Sequence, residues 1–70
     1  MWRYQAIKDK DGEVGIHELY EIEGDVYWTE DAIEAMSEDA EGLKWVLTQM
    51  LEDLEKYGVK TEEELNDEGT

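Results

Sequence analysis

The side chains with the greatest capacity for chemistry in this chain are carboxylates. Twelve of them lie between Lys10 and Lys44, a stretch that contains no Lys or Arg. They are Asp11, Glu13, Glu18, Glu21, Glu23, Asp25, Glu30, Asp31, Glu34, Glu38, Asp39 and Glu41. Paired carboxylates can act as general acid and base, but this abundance identifies no particular pair. Concentrated like charge instead indicates a demand for solubility, a saline environment or a strongly basic partner.

Other reactive groups are scarce. His17 is the only imidazole, and it alternates with core positions in a predicted strand without a nearby Ser or Cys, so we interpret it as a structural or surface residue. The absence of Cys excludes disulfides, thiolate zinc sites and cysteine nucleophiles. Segment 9–13 partly matches a calcium loop, but Val14 and Tyr20 occupy the positions that require Gly and Glu. We predict no enzymatic activity, no cofactor and no metal site.

The net charge restricts the class of partner. The chain carries a net charge of −15, with 10 acids and 3 bases before residue 35 and 11 acids and 3 bases from there on. Nucleic acids and anionic membranes would repel such a polyanion. Because both halves are acidic, the charge belongs to the whole folded body, and a basic protein is the natural complement.

Length and composition predict one small domain. Seventy residues with a 40% apolar fraction, three Trp and four Tyr can form a modest core. We expect a single domain over residues 1–65 and a disordered tail over 66–70. No segment has the organisation of a signal peptide or a membrane span. Together with the lack of Cys, this favours a reducing cytoplasm.

The first half of the chain predicts a β-meander. Residues 2–8 alternate and are rich in aromatics, and Asp11-Gly12 is a strong hairpin signal. A second strand over 13–22, a turn at Glu23-Gly24 and a short third strand over 25–28 follow. In the second strand Val14, Ile16, Tyr20 and Ile22 share one face, while Gly15, His17, Leu19 and Glu21 share the other. Glu18 interrupts the more apolar face, so we expect a bulge or the strand's exit from cover there.

The second half predicts helices. Thr29 could cap one or two helical turns over 30–36, anchored by Ile33 and Met36. Ser37 or Asp39 can cap the main helix, and Gly58 can end it in a left-handed conformation, with Val59 making the accompanying contact. The main helix carries an amphipathic stripe. Its members are Leu43, Val46, Leu47, Met50, Leu51, Leu54 and Tyr57.

A last helical turn over 62–65 is predicted by the capping-box pattern from Thr61 to Glu64, with Leu65 as its anchor. The predicted fold is therefore α+β. It consists of a three-stranded antiparallel β-meander with one long amphipathic helix packed on one face, and short helical turns over 30–36 and 62–65.

Trp45 has an unexpected position in the main helix. It lies almost opposite the apolar stripe, where solvent is expected. One interpretation is that segment 29–36 or segment 59–65 folds over it. The alternative is an exposed aromatic anchor for a partner.

The predicted helices and strands also determine how the carboxylates are arranged in space. Glu30, Asp31 and Glu34 would share one face of a short helix, and Glu38 with Glu41 repeats the i, i+3 spacing. Glu21, Glu23 and Asp25 alternate, so in an extended chain they would project to one side roughly 6.6 to 7 Å apart. That separation is comparable with the step between phosphates along a nucleic-acid strand. We therefore select nine carboxylates as partner-binding residues: Glu21, Glu23, Asp25, Glu30, Asp31, Glu34, Glu38, Asp39 and Glu41.

Three local motifs carry a resemblance. Ile-His-Glu-Leu-Tyr at 16–20, Trp-Thr-Glu-Asp at 28–31 and the helix over 43–51 that contains Lys44-Trp45 resemble a group of small uncharacterised bacterial proteins. The resemblance covers about residues 4–57 and implies a bacterial cytoplasm, but it implies no activity. This chain is more acidic than is usual for the group.

Size and charge also resemble the small acidic anti-CRISPR proteins of phages and mobile elements, which imitate duplex DNA. That resemblance implies a monomeric inhibitor whose carboxylates dock on the Lys and Arg residues of a basic nucleic-acid-binding protein, such as the DNA-recognition subunit of a CRISPR effector complex. Two alternatives stay open. One is a bacterial interaction module that binds a protein through Trp45, and the other is an acidic, halophilic domain without a mimic role.

Overall fold

The computed structural model of the chain describes residues 1–68. It has an α+β fold in which four strands form one mixed sheet and two helices flank it. The elements are β1 (Trp2–Lys8), β2 (Val14–Ile22), β3 (Asp25–Trp28), α1 (Ala40–Tyr57), β4 (Val59–Thr61) and α2 (Glu62–Glu68). No helix within residues 1–68 combines the length and apolar character that a membrane span requires.

The predicted meander of β1, β2 and β3 is confirmed. β1 and β2 pair from Trp2 opposite Tyr20 to Lys8 opposite Val14, and β3 adds to the other side of β2. The β1–β2 turn uses Gly12 at φ 85°, as the Asp-Gly signal predicts. The β2–β3 turn places Glu23 at φ 51° and Gly24 at φ 87°. Two consecutive positive φ angles suit the twist of a tight hairpin.

The sheet has a fourth strand that we did not predict. β4 pairs in parallel with β1, with Val59 opposite Ala6 and Thr61 opposite Lys8, which gives the strand order β3-β2-β1-β4. Val59 is therefore part of the sheet instead of only closing the end of α1. Three residues are too few to show a period, and the β-branched side chains of Val59 and Thr61 were the only local signal.

The ends of α1 agree with prediction. The Asp39 side chain accepts a hydrogen bond from the Gly42 N–H at 2.8 Å, so Asp39 is the cap. Gly58 ends the helix as predicted, and its N–H donates to the Leu54 carbonyl, but at φ 67° and ψ −165° its conformation is not the predicted left-handed helical one. These local rules hold because each one satisfies main-chain groups that a helix end leaves without partners.

The predicted long helix packs against the sheet, mainly against the single strand β1, and it contacts that strand at its open edge. Met1 and Glu21 exchange both main-chain hydrogen bonds, so every second residue from Met1 onward bonds to β2. Tyr4 is one of the residues between them, and its amide points away from β2. The Asp53 carboxylate accepts the hydrogen bond from that amide at 2.9 Å. Nearby, the Arg3 guanidinium lies 4.2 Å from the centre of the Tyr57 ring. The helix thus covers an open strand edge.

This edge contact leaves much of the apolar stripe in solvent. Met50 is buried, while Leu47, Leu51 and Leu54 are exposed. A narrow sheet edge can cover only a strip of a helix, whereas a sheet face would cover the whole stripe.

The short helix α2 supplies the core contact instead. Its Leu65 is fully buried with Ile7 and Leu19, and Val26 and Trp28 pack against this cluster. The capping box is confirmed: the Thr61 hydroxyl accepts from the Glu64 N–H at 3.2 Å, and the Glu64 carboxylate accepts from the Thr61 N–H at 3.4 Å. α2 continues past the predicted turn through residue 68, and residues 69–70 of the predicted tail lie outside the described residues.

The buried face of β2 is the less apolar one. His17 and Leu19 are buried, whereas Val14, Tyr20 and Ile22 are exposed. The pairing with β1 is continuous through Glu18, so the predicted bulge is absent. The alternative expectation holds, because the side chains of β2 are exposed from Tyr20 onward. Because directly paired residues share a face, the cluster of Ile7, Leu19 and Trp28 is formed across three strands on the side where α2 packs.

The predicted helical turns over 30–36 are wrong. Residues 29–38 run without helix, and their amides find partners on β2: the Thr29 N–H donates to the Glu18 carbonyl at 3.0 Å, and the Ile33 N–H donates to the Ile16 carbonyl at 2.8 Å. Like charges at helical spacing also disfavour a helix here. A Cβ built on Gly15 would lie 2.8 Å from the Ala32 Cβ, so the segment crosses close to β2.

Removing the Asp53 carboxylate should destabilise the α1–β1 contact. Asp53→Ala leaves the Tyr4 amide without its acceptor, and we expect the free energy of unfolding to fall by about 1–3 kcal/mol. Urea denaturation measures this. Glu52→Ala, which removes an exposed carboxylate from the next position, is the charge-matched control. Equal stability of the two variants would contradict the edge-covering role of Asp53.

Candidate functional site

The nine selected carboxylates do not form one array. Glu21 lies opposite Val26 and Asp25 lies opposite Ile22, so the Glu21 and Asp25 side chains leave opposite faces of the hairpin. The predicted one-sided row of Glu21, Glu23 and Asp25 is therefore wrong. The reason is that the chain reverses at Glu23 and Gly24, and a row at even spacing requires a chain that stays extended.

The structure does bring four acidic residues onto one irregular stretch, which we call the acidic segment. It comprises Glu30, Asp31, Glu34 and Glu38, all exposed. They are spaced along irregular backbone with bends at Glu30, Asp31 and Glu38, and not on a helix face as predicted. Its main chain is attached to β2 at Thr29 and Ile33, and it ends at the Asp39 cap.

Two other selected residues have local structural partners. Asp39 caps α1, and Glu41 forms an ion pair with Lys44 at 3.5 Å. Such an exposed pair contributes little to stability. Within residues 1–68, the Glu21, Glu23 and Asp25 side chains and the acidic segment form no ion pair, so their charge is directed into solvent.

The buried histidine fixes the start of the acidic segment. His17 Nδ1 lies 2.8 Å from the carbonyl oxygen of Thr29, so Nδ1–H donates and the ring is held in one tautomer. The Thr29 hydroxyl lies 3.3 Å from the Glu18 amide that donates to it. His17 thus has the structural role that its strand position indicated. Among the described residues, no three His, Asp or Glu side chains form a group suited to a metal ion.

Trp45 is exposed. Its side chain keeps 58% of its accessible surface, so neither segment 29–36 nor segment 59–65 covers it. The expectation of a covering segment is wrong because the first segment follows β2 and the second forms β4 and α2. Trp45 remains available as an aromatic anchor on the outer side of α1.

Sequence reasoning missed a second aromatic surface, which we call the open face. It is the exposed part of the sheet face opposite Leu65, on which Tyr4 and Ala6 are buried. Its exposed members are Trp2, Val14, Tyr20, Ile22 and Tyr27. Trp2 is paired with Tyr20, and Tyr20 with Tyr27, so three aromatic side chains form a row across β1, β2 and β3. Alternation in β2 marked this face as apolar, but alternation cannot say which face a helix will cover.

Hydrogen bonding and ring contacts order part of the open face. The Trp2 and Tyr4 ring centres lie 4.8 Å apart in an edge-to-face arrangement at 67°. The Tyr20 hydroxyl donates to the Glu18 carboxylate at 2.7 Å. That hydrogen bond is the main reason that the pKa of Tyr20 is raised. The pKa of Tyr4 is raised chiefly by burial, with added repulsion from Glu18 and Asp53.

These tyrosines predict alkaline destabilisation. Below pH about 10 both phenols are neutral in the folded and unfolded chain, so their contribution is fully present. Above pH about 10 the two tyrosines lose their protons in the unfolded chain before they lose them in the folded chain. The free energy of unfolding therefore falls as pH rises. Urea midpoints measured from pH 8 to 11.5 should show this fall, and Tyr4→Phe should reduce it. An identical pH profile for Tyr4→Phe would contradict the role of the buried phenol.

The chain was also compared with known proteins. No protein-family model matches it, and the searches of curated proteins and of solved structures found no significant match.

Proposed function

We propose that this chain is a non-enzymatic, monomeric DNA-mimic inhibitor. It occupies the basic DNA-binding groove of a nucleic-acid-binding protein in the bacterial cytoplasm, and the target we propose is a CRISPR effector complex. The observation that carries the proposal is the acidic segment, whose four carboxylates have no ion-pair partner within residues 1–68 while the backbone beneath them is attached to the sheet.

Attachment of the segment supports binding through its charges. The Thr29 and Ile33 amides bond to β2, and Asp39 begins α1, so the segment has defined contacts near its start, its middle and its end. A segment ordered before binding loses less conformational entropy on association than a flexible acidic tail does. The same charge on a disordered tail would bind a basic groove less tightly.

The proposed mechanism is competitive. Lys and Arg side chains that hold DNA phosphates would pair with Glu30, Asp31, Glu34 and Glu38, and the counterions condensed on the polyanion would be released. The net charge of −15 would accelerate the encounter with a basic groove at low ionic strength. DNA and this chain could then not occupy the groove together.

A competition assay tests the proposal. Purified effector complex is titrated with labelled target duplex in the presence of increasing inhibitor at 50 and 200 mM salt. We expect the inhibitor to displace the duplex, and we expect displacement to weaken steeply with salt. Unchanged DNA binding at saturating inhibitor and low salt would refute inhibition of this target.

A second candidate function rests on Trp45. Its exposure at 58% fits an interaction module of the bacterial group to which the motifs bear a resemblance. Trp45→Ala separates the two functions, because a DNA mimic should keep its inhibition whereas the module should lose most of its binding.

A cooperative thermal melt in dilute buffer with chelator would argue against a halophilic or ion-dependent domain.

A further inference from the structure

Part of the open face presents an exposed aromatic row, beside the buried residues Tyr4 and Ala6 of the same sheet side. Trp2, Tyr20 and Tyr27 stand directly opposite one another on three adjacent strands, and Tyr27 keeps 54% of its surface. With strands about 4.8 Å apart, the row is about 10 Å wide. Exposed aromatic groups of this extent mark interaction sites more often than they mark ordinary protein surface.

The charges that accompany the row are mostly negative. Glu18 shares the face, and its carboxylate is held beside the row by the Tyr20 hydroxyl at 2.7 Å. Asp25 shares the same face because it is paired with Ile22. The base on this face is Lys8, which stands opposite Val14 at the far end of β1 from Trp2. The row is therefore an aromatic surface with carboxylates at its side.

Three occupants could use such a surface, and charge distinguishes them. Nucleic-acid bases stack on aromatic rows, but their phosphates are repelled by a net charge of −15. A second copy of the chain brings the same negative charge. A cationic protein segment has the complementary charge.

Arginine suits this surface better than lysine. A guanidinium group is planar and weakly hydrated, so it can stack on an aromatic ring while its N–H groups donate to a carboxylate. An ammonium group is compact and strongly hydrated, and it is attracted chiefly by charge. An aromatic row beside Glu18 and Asp25 offers the two features that a guanidinium group uses together.

We propose that the open face binds arginine side chains of a cationic protein segment, with guanidinium groups stacked on Trp2, Tyr20 and Tyr27 and paired with Glu18 and Asp25. The inference rests on the proposed function only in taking the partner to be basic. It adds a contact surface distinct from the acidic segment, and it adds a preference for arginine that charge alone does not produce.

Two capped peptides of equal charge test this inference. An octa-arginine and an octa-lysine peptide are titrated into isotopically labelled protein at 50 mM salt. We expect octa-arginine to bind about five- to tenfold more tightly. It should shift the resonances of Trp2, Tyr20 and Tyr27 more than that of Trp45. Equal affinities for the two peptides, or shifts absent from the open face, would overturn the proposal, and both readouts use the wild-type chain.

Substitutions sharpen the test without changing charge. The double variant Tyr20→Thr, Tyr27→Thr keeps strand-forming residues and should lower the arginine preference to about twofold or less. Trp45→Ala is the matched control, because it removes an exposed aromatic group outside the open face. A preference that survives in the double variant, or that disappears in Trp45→Ala, would overturn the assignment of the site. Tighter binding of an octathymidylate strand than of octa-arginine would assign the row to nucleic acid, and it would also overturn the assignment to arginine.

The peptide assay and the competition assay can fail separately. Loss of the arginine preference with intact inhibition of DNA binding would remove the open-face proposal and leave the DNA mimic. Intact arginine preference without inhibition of any DNA-binding groove would remove the mimic and leave an arginine-binding surface.

Discussion

Replacing Leu65 with Ala should lower the free energy of unfolding by about 3–5 kcal/mol and leave much of the protein unfolded at 37 °C. Leu65 has 0% of its surface exposed and joins α2 to Ile7 and Leu19. Truncating a buried leucine loses its transfer free energy and leaves a cavity. A domain of this size has a total stability of only several kcal/mol, so one such loss removes most of it.

Leu51→Ala is the matched control for Leu65→Ala. It deletes the same atoms from a side chain that is 56% exposed on α1, so we expect a change below about 1 kcal/mol. Urea denaturation followed by circular dichroism compares the two variants. A greater loss for Leu51→Ala would mean that α1 covers the core through its leucine stripe and that α2 contributes little.

Reversing the charge of the acidic segment should reduce inhibition at least about 100-fold at 50 mM salt. The variant carries Glu30→Lys, Asp31→Lys, Glu34→Lys and Glu38→Lys, which changes the net charge from −15 to −7. Each lost contact with a basic groove removes counterion release, and each new lysine adds repulsion. Asp39 is left unchanged because its loss would cost α1 its cap.

The control for the charge reversal has the same net charge. Asp11→Lys, Glu13→Lys, Glu52→Lys and Glu55→Lys change four exposed carboxylates outside the acidic segment and also give −7. If only total charge matters, both variants will lose inhibition equally. If the acidic segment is the contact, the control should keep most of its inhibition, and thermal melts should show that both variants are folded.

Local signals explain the parts of the fold that the sequence predicted. The Asp-Gly turn, the Asp39 cap, Gly58 after α1 and the capping box from Thr61 to Glu64 each involve groups within a few residues of one another. Such contacts form in the same way whatever the rest of the chain does. The bounds of β1 and β3 and the last residue of α1 could therefore be placed before any tertiary contact was known, and the cap of α1 was narrowed to Ser37 or Asp39.

The candidate site was less predictable, because its geometry depends on partners far apart in sequence. Ile33 donates to Ile16, so the acidic segment follows β2 and does not form its own helical turns. The β2–β3 turn sends Glu21 and Asp25 to opposite faces. The spacing of the carboxylates in sequence was correct, but the conformation that converts spacing into direction was not a local property.

By itself the sequence determined the uncompensated negative charge, the three-stranded meander, the ends of α1 and the role of Leu65 as an anchor. The tertiary structure decided which face of each element is buried and which is exposed to solvent. The stripe of α1 and the alternation of β2 do not determine how the elements pack. An apolar face shows that burial is favourable, but it does not identify the element that buries it. Asp53 holds α1 at the sheet edge and Leu65 brings α2 to the face that carries Leu19, so Tyr20 and Tyr27 remain in solvent.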